Sequence, residues 1–341
     1  MGGMMTAILK NLTSFRMTRW SGRVAVLLAV VALLATQQGL TAQLTYRSGQ
    51  PVFPAYEGWE EDEDGARYFL FGYMNANWEE ELDVPVGPDN YVAVSGSATD
   101  GQEAGEFMPA TADQGQPTRF QPRRNRFVFR VPVPDGAEEM IWTLTAKGET
   151  NTAYATLAID YKVDSMVKAS EQGAIGAGSS NPTIRANVIP VLTVEGPSER
   201  TVRVGEPLAL VAIATDDGVP EPRQGRRLRR SRSREGQSDN PLWRRPGQGT
   251  VGSARGLRLS WYVYRGPGEA TFDPLQAKVW EDSRAHANSP WANYWETPPL
   301  PEDDTWRVEV MFSQPGTYVL RCLAADGALG ADSDVTVTVT E

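Results

Sequence analysis

The sequence predicts an all-β protein: two β-sandwich domains preceded by a signal peptide. Three observations carry that expectation. From Ala66 onward, short runs of aromatic and β-branched residues alternate with clusters of Gly, Pro, Asn and Asp. Downstream of the N-terminus no stretch shows the 3.6-residue period of an amphipathic helix. A small, polar stretch, "SEQGAIGAGSSNPT" from Ser170 to Thr183, divides the runs into two series.

Lys10, Arg16, Arg19 and Arg23 form a basic flank, followed by the uncharged "VAVLLAVVALLA" of Val24 to Ala35. Twelve apolar residues make roughly 18 Å of helix, short of the ~30 Å needed to span a bilayer. The stretch ending in Ala42 offers a cleavage point before Gln43, so residues 1–42 read as a signal peptide and the mature chain as exported, periplasmic or extracellular. The alternative is an uncleaved anchor, because Leu40 is bulky for a cleavage site; only then would the chain touch a membrane. No cysteine follows the apolar run, which argues against a lipoprotein anchor.

The first domain is expected over 43–166. Its strands are "RYFLFGYM", "NYVAVSG", "RFVFRVPV", "MIWTLTA" and "TAYATLAIDYKV". In "RFVFRVPV" the alternation puts Phe127, Phe129 and Val131 on one face and Val128, Arg130 and Pro132 on the other. A flexible Gly/Ser-rich linker is expected over 167–186. The second domain, 187–341, has about seven strands, from "VIPVLTV" to "DVTVTVT", separated by Gly, Pro and Asp turns. It is interrupted at about 221–256 by a segment without hydrophobic periodicity, an insertion with almost nothing to bury.

Composition excludes much chemistry. The single cysteine, Cys322, allows no internal disulfide, and the single histidine, His286, leaves little material for a His-based zinc site or a Ser-His-Asp triad. The chain carries −10, and about −14 without the signal region. Against this, Arg223 to Arg245 holds nine arginines and only Glu235 and Asp239, a local +7. A generic nucleic-acid binder is basic over a whole face; this chain is acidic almost everywhere else, so no specific nucleic-acid partner is expected.

Several stretches resemble known families. "VRVGEPLALVAIATDDG", "LRLSWYVYRGPGEATF" with Trp261, and "FSQPGTYVLRCLAADGALGADSDVTVTV" together resemble a polycystic-kidney-disease-type (PKD) Ig-like domain over roughly 187–341. The alternation agrees: Tyr318, Leu320, Cys322 and Ala324 share the inward face of a strand, while Val319, Arg321 and Leu323 point the other way. Tyr318 stands where a corner tyrosine hydrogen-bonds back to the Pro315-Gly316 turn. Cys322 lies four residues after Tyr318, not two, and has no partner. The first domain, through "YEGWEEDEDGARYFLFGYMNANWEEELDVPVGPDN", resembles the N-terminal module of exported bacterial proteins that carry a second Ig-like domain. That resemblance implies a bacterial envelope setting and transfers no activity.

Candidate sites follow from residue chemistry. Arg226, Arg227, Arg229, Arg230, Arg232 and Arg234 form a candidate polyanion contact, because guanidinium groups pair bidentately with phosphate or carboxylate. A solvated insertion, or docking on the chain's own "EEDED" (Glu60 to Asp64) or "EEE" (Glu79 to Glu81), explains the same run. Trp291, Tyr294 and Trp295, in "SPWANYWETPP", form a candidate glycan platform; packing over the sandwich with Trp280 and Trp306 is the alternative. Asp216-Asp217-Gly218, Asp326-Gly327 and Glu60 to Asp64 supply carboxylates for calcium, but as turn formers they need no ligand, and no metal or other cofactor is expected. "SDN" at Ser238 to Asn240 echoes a β-lactamase fragment without its Ser-x-x-Lys companion, and Cys322 on an inward face has no activating base. No catalytic residue is identified. The expectation is a non-catalytic, adhesion-type or structural protein of the bacterial cell envelope that binds an envelope protein or surface glycan. The alternative is a carbohydrate-binding module using residues 291–295.

Overall fold

The computed structural model describes residues 47–95, 107–109, 113–137, 139–171, 182–222, 251, 254–282 and 297–341. The residues from 49 onward form one compact unit. It contains two β-sandwiches with separate hydrophobic cores.

The first sandwich opens with β1 (Val52–Glu61) and β2 (Arg67–Asn75), an antiparallel hairpin extended by β7 (Arg123–Pro132). The facing sheet has the order β5 (Phe107–Pro109), β4 (Asn90–Ser95), β8 (Glu139–Ala146), β9 (Glu149–Thr156). A two-stranded ribbon, β3 (Leu82–Asp83) with β6 (Arg119–Phe120), sits beside them. Aromatic side chains fill the core. Phe129 stacks on Phe71 at 5.4 Å and meets Trp142 edge-on at 4.8 Å.

The expected face of β7 holds for Phe129 and Val131, which are buried. Phe127 departs from it: its φ is +50°, and the β2–β7 register shifts between Phe71 and Tyr73, so the alternation breaks at this bulge and Phe127 is only half-buried. Gly72 lies in the same irregularity. A Cβ there would overlap the carboxylate of Glu57 and the carbonyl of Asn125.

Buried asparagines tie the loops of this sandwich to its core. Asn90 Nδ2 donates to the carbonyls of Val84 and Pro117 at 2.9 and 2.8 Å, and its Oδ1 accepts Trp142 Nε1–H at 3.0 Å. Asn75 Nδ2 donates to Glu80 and Phe120 carbonyls, and its Oδ1 accepts from Asn77. Backbone groups where chain segments cross have no strand partner, and a carboxamide satisfies two or three at once.

The linker expectation over 167–186 needs correction at both ends. Ser165–Glu171 is a helix, α1, and Pro182–Arg185 a short one, α2; 172–181 lies outside the described residues. Asp164 starts α1 by accepting the Val167 N–H at its Oδ1, 2.8 Å away. Lys168 pairs with Glu60, Arg126 with Glu171 at 3.3 Å, and Ala169 is buried against Ala328 and Leu329 of the second sandwich. The helix forms because both sides bind it, a tertiary cause that local composition does not carry.

In the second sandwich one sheet has the order β10 (Val191–Val194), β12 (Leu208–Thr215), β15 (Thr305–Phe312), β14 (Ala270–Asp273). The other has the order β11 (Glu199–Arg203), β17 (Gly330–Thr340), β16 (Gly316–Ala325), β13 (Arg258–Arg265). All pairs are antiparallel except β11 with β17, which is parallel. The first strand is thus split between the sheets, β10 on one and β11 on the other. Trp261 on β13 stands directly opposite Cys322 on β16, both buried. Tyr318, Leu320, Cys322 and Ala324 all face the core, and the Tyr318 hydroxyl donates to the Gln314 carbonyl at 3.0 Å, one residue before the expected turn. Trp306 packs on this core and Trp280 is buried.

Arg321 is the outward-facing residue that does not reach solvent. It is 8% exposed. Its guanidinium donates to Asp334 through two bonds of 2.7 and 2.8 Å and to the carbonyl of Val128, in β7 of the first sandwich, at 2.6 Å, and it lies 3.6 Å from the centre of the Tyr264 ring.

Candidate functional site

The arginines of the candidate polyanion contact, Arg226 to Arg234, and the candidate glycan platform, Trp291, Tyr294 and Trp295, lie outside the described residues, as does His286. The structure does place the points from which both segments depart and to which they return. The first leaves after Pro222 and returns by Ala254–Gly256 into β13. Gly256 donates its N–H to the Asp326 carbonyl at 2.7 Å and has φ +95°, and a Cβ on it would overlap the Pro222 ring, so the two feet touch. The second leaves after Asp282 and returns at Thr297, whose hydroxyl donates to the Arg255 carbonyl at 2.8 Å. Lys278, ahead of the second departure, and Val251, at the return of the first, line one cleft with Arg258, Ser260, Leu323 and Leu329. Both excursions are therefore anchored at one corner of the second sandwich. The cleft itself, about 70 Å³, is far below the volume of a small-molecule site.

Two of the acidic turns, Asp216-Asp217-Gly218 and Asp326-Gly327, meet at this corner, while Glu60 to Asp64 lies at the β1–β2 hairpin of the first sandwich. Asp326 is fully buried: its Oδ1 accepts the N–H groups of Ala328 and Leu329 at 2.5 and 2.7 Å, and its Oδ2 accepts from Asn187 at 2.9 Å. Asp217 accepts the N–H groups of Val188 and Val219, and Asp216 that of Gly218. Asp216 is half-buried, and its Oδ1 is buried without a hydrogen bond. Burial first, then the charges of Asp326 and Asp217, push its carboxyl up to about 6 against the pull of the Gly218 N–H. Among the described residues no group of three or more His, Cys, Asp or Glu side chains is placed to hold a metal ion.

The acidic runs offered as docking ground for the arginines carry partners already. Glu60 pairs with Arg130 and Lys168, Glu61 with Lys162, and Asp62 with Arg130. Glu80 accepts from Lys147 and Gly49, and Glu81 pairs with Arg119 at 2.7 Å. Trp78 lies half-buried with the Arg123 guanidinium 3.9 Å from its ring centre, which covers one face of that aromatic. Cys322 is buried, and burial pushes its thiol up, away from thiolate chemistry. Sequence reasoning missed two features here: the convergence of both excursions, which follows from strand order, and the buried Arg321. No helix among the described residues is long and apolar enough to cross a membrane.

No family model matches the chain, and no curated protein matches it. Among solved structures it is similar to the N-terminal eight Ig domains of Down Syndrome Cell Adhesion Molecule, at 9% identity, over 85% of this chain and 27% of that one, with a TM-score of 0.20. Immunoglobulin domains 1–4 of Sidekick-1 are 11% identical over 85% of this chain and 48% of that one, TM-score 0.20. Domains 4 and 5 of the S-layer protein SbsC are 9% identical over 82% and 88%, TM-score 0.20. The chain thus spans about a quarter and about half of the first two. Strand order, not these superpositions, assigns the fold. A first strand split across both sheets, its second half parallel to the last strand, and a core tryptophan opposite the penultimate strand make the second sandwich Ig-like.

Proposed function

We propose that this chain is an exported, non-catalytic structural or adhesion-type protein of the bacterial cell envelope. Its second sandwich is a PKD-type module, and its first is the module of exported bacterial proteins that its sequence resembles. Its partner is an envelope protein or surface glycan, engaged at the corner of the second sandwich where both excursions are anchored. The observation that supports this reading is the convergence of their feet, Pro222 with Gly256 and Thr297 with Arg255. A cationic segment and an aromatic one tethered together reach the same ligand at high effective concentration. Arginine suits the anionic groups of lipopolysaccharide or acidic polysaccharide, and tryptophan suits sugar rings.

The test is binding of the mature chain to lipopolysaccharide, acidic polysaccharide and DNA at 0.05 and 0.5 M salt, beside a Gln224–Arg245 deletion and Trp291→Ala. Loss of polysaccharide binding in both variants supports the composite contact, with salt weakening only the arginine contribution. Glycan binding lost in Trp291→Ala and retained in the deletion favours the carbohydrate-binding alternative through Trp291, Tyr294 and Trp295. Capture of an envelope protein with no glycan signal favours the protein partner. Equal binding by all three proteins refutes the proposed contact.

A further inference from the structure

We infer that the junction between the two sandwiches is a releasable latch, closed over the open edge of β13, that opens while both sandwiches stay folded. Neither hydrophobic core contains a residue of the other sandwich. The contacts that cross the junction are mainly polar. Arg321 donates to the Val128 carbonyl, the Tyr264 hydroxyl to the Gly115 carbonyl at 2.5 Å, and Thr118 N–H to the Tyr264 carbonyl at 3.3 Å. Gly266 N–H donates to Thr118 Oγ1 at 3.3 Å, and Arg265 pairs with Asp113. The only apolar cluster bridging the sides is Ala169 of α1 on Ala328 and Leu329, among the described residues. Polar junctions of this kind permit relative motion, whereas large apolar ones do not.

Charge placement makes opening cheap. Arg321 keeps its counterions, Asp334 and Asp332 at 2.7 and 3.4 Å, on its own sandwich. Arg119 likewise pairs with Glu81 and Asp83 on its own side, reaching Glu269 across the junction only at 3.9 Å. Arg130, facing Asp332, is held by Glu60 and Asp62 of the first sandwich. Separation therefore exposes the ion pairs of Arg321, Arg119 and Arg130 already formed, and the close ion pair it breaks, Arg265 with the exposed Asp113, passes into water on both sides. Segment Asp113–Thr118 covers the β13 edge in the closed state. Opening frees the Tyr264 carbonyl and the Gly266 N–H, groups that an open sheet edge presents for strand pairing.

Amide hydrogen exchange on the full chain tests the latch. In the wild type, the Thr118 and Gly266 amides should exchange at least 100-fold faster than those of the central strands β8 and β16. Arg321→Met keeps the stem and removes the bond to Val128; it should speed Thr118 and Gly266 a further tenfold and leave β8 unchanged. Asp113→Asn, at an exposed position, should act the same way more weakly and serves if Arg321→Met does not fold. Exchange of Thr118 and Gly266 at core-strand rates in the wild type overturns the inference, since the junction would then open only with global unfolding.

Discussion

Deleting Gln224–Arg245 is expected to change the stability of the second sandwich by no more than about 1 kcal/mol. The feet of the excursion already touch, through Gly256 against Pro222 and the Gly256 N–H on Asp326. In sequence, 31 residues separate Pro222 from Ala254, and the deletion leaves nine. For a loop that makes no contact with the body, that shortening lowers the closure entropy by about 1 kcal/mol in favour of the variant. An opposing contribution comes from charge. The deletion removes eight arginines with Glu235 and Asp239, so the chain becomes six units more negative and repels itself more strongly. Repulsion between exposed charges is cut by salt, with a screening length of about 8 Å at 0.15 M and about 3 Å at 1 M. The melting temperature should therefore stay nearly unchanged at 0.15 M and rise by roughly 2–4 °C at 1 M. Differential scanning calorimetry of both proteins at the two salt concentrations measures this. A fall of more than about 5 °C at either one would refute the reasoning, because a segment whose loss costs that much is bound to the body.

Three substitutions probe features described above. Asn90→Ala removes the partner of the Val84 and Pro117 carbonyls and of Trp142 Nε1, all buried, and should cost about 3–4 kcal/mol in urea unfolding; a loss below about 1 kcal/mol would mean water replaces the carboxamide. Gly72→Ala places a Cβ against Glu57 and the Asn125 carbonyl, so a loss of about 2–3 kcal/mol is expected, and a neutral result would show that the β2–β7 irregularity yields freely. Asp216 binds its proton more tightly folded than unfolded, because its folded carboxyl is raised to about 6. Its favourable contribution is complete below about pH 4 and is lost as pH rises through about 6. Asp216→Asn should therefore be more stable than wild type at pH 7, by about 1 kcal/mol after allowance for the solvent around a half-buried group, and the difference should close by pH 4. Urea midpoints at both pH values decide it, and a difference that grows on acidification contradicts the sign.

The strands were legible where one face of one sheet sees one core. Tyr318, Leu320, Cys322 and Ala324 alternate with Val319, Arg321 and Leu323, and that alternation assigns the inward face without reference to any other part of the chain. What it does not assign is the fate of the outward face. Arg321 reads only as outward-facing, because period two carries no information about a second body on the far side of the sheet. Its burial follows from Val128, nearly two hundred residues away. The helix α1 escaped for the same reason: Asp164 supplies a local cap, but seven residues need the flanking contacts of Lys168, Ala169 and Glu171 to be helical. The asparagines show a third limit. Nothing in the sequence around Asn75, Asn77 and Asn90 marks their carboxamides as binding backbone groups at chain crossings, and crossings exist only once the fold is known.

The candidate contact residues meet the same limit from the other side. The arginine run and the tryptophan segment lack periodicity, so their residue types declare a chemistry while nothing local declares a position. Position comes from topology. Asp216 ends the strand before the first excursion, and Asp326 turns β16 into β17; the pairing of β13 with β16 brings the turn at Asp326 to the foot of that excursion, where Gly256 bonds to it. The turns at Asp216 and Asp326, far apart in sequence, become electrostatic neighbours at that corner, and the charge of Asp326 adds to burial in raising the carboxyl of Asp216. A sequence that names a sandwich and its strand order thus also names which loops share an end. In this chain the pairing that places the two excursions together is that of "LALVAIATD" with "WRVEVMF": Ile213 stands opposite Thr305, so the strand end from which the first excursion leaves and the strand start to which the second returns share one end of the sandwich.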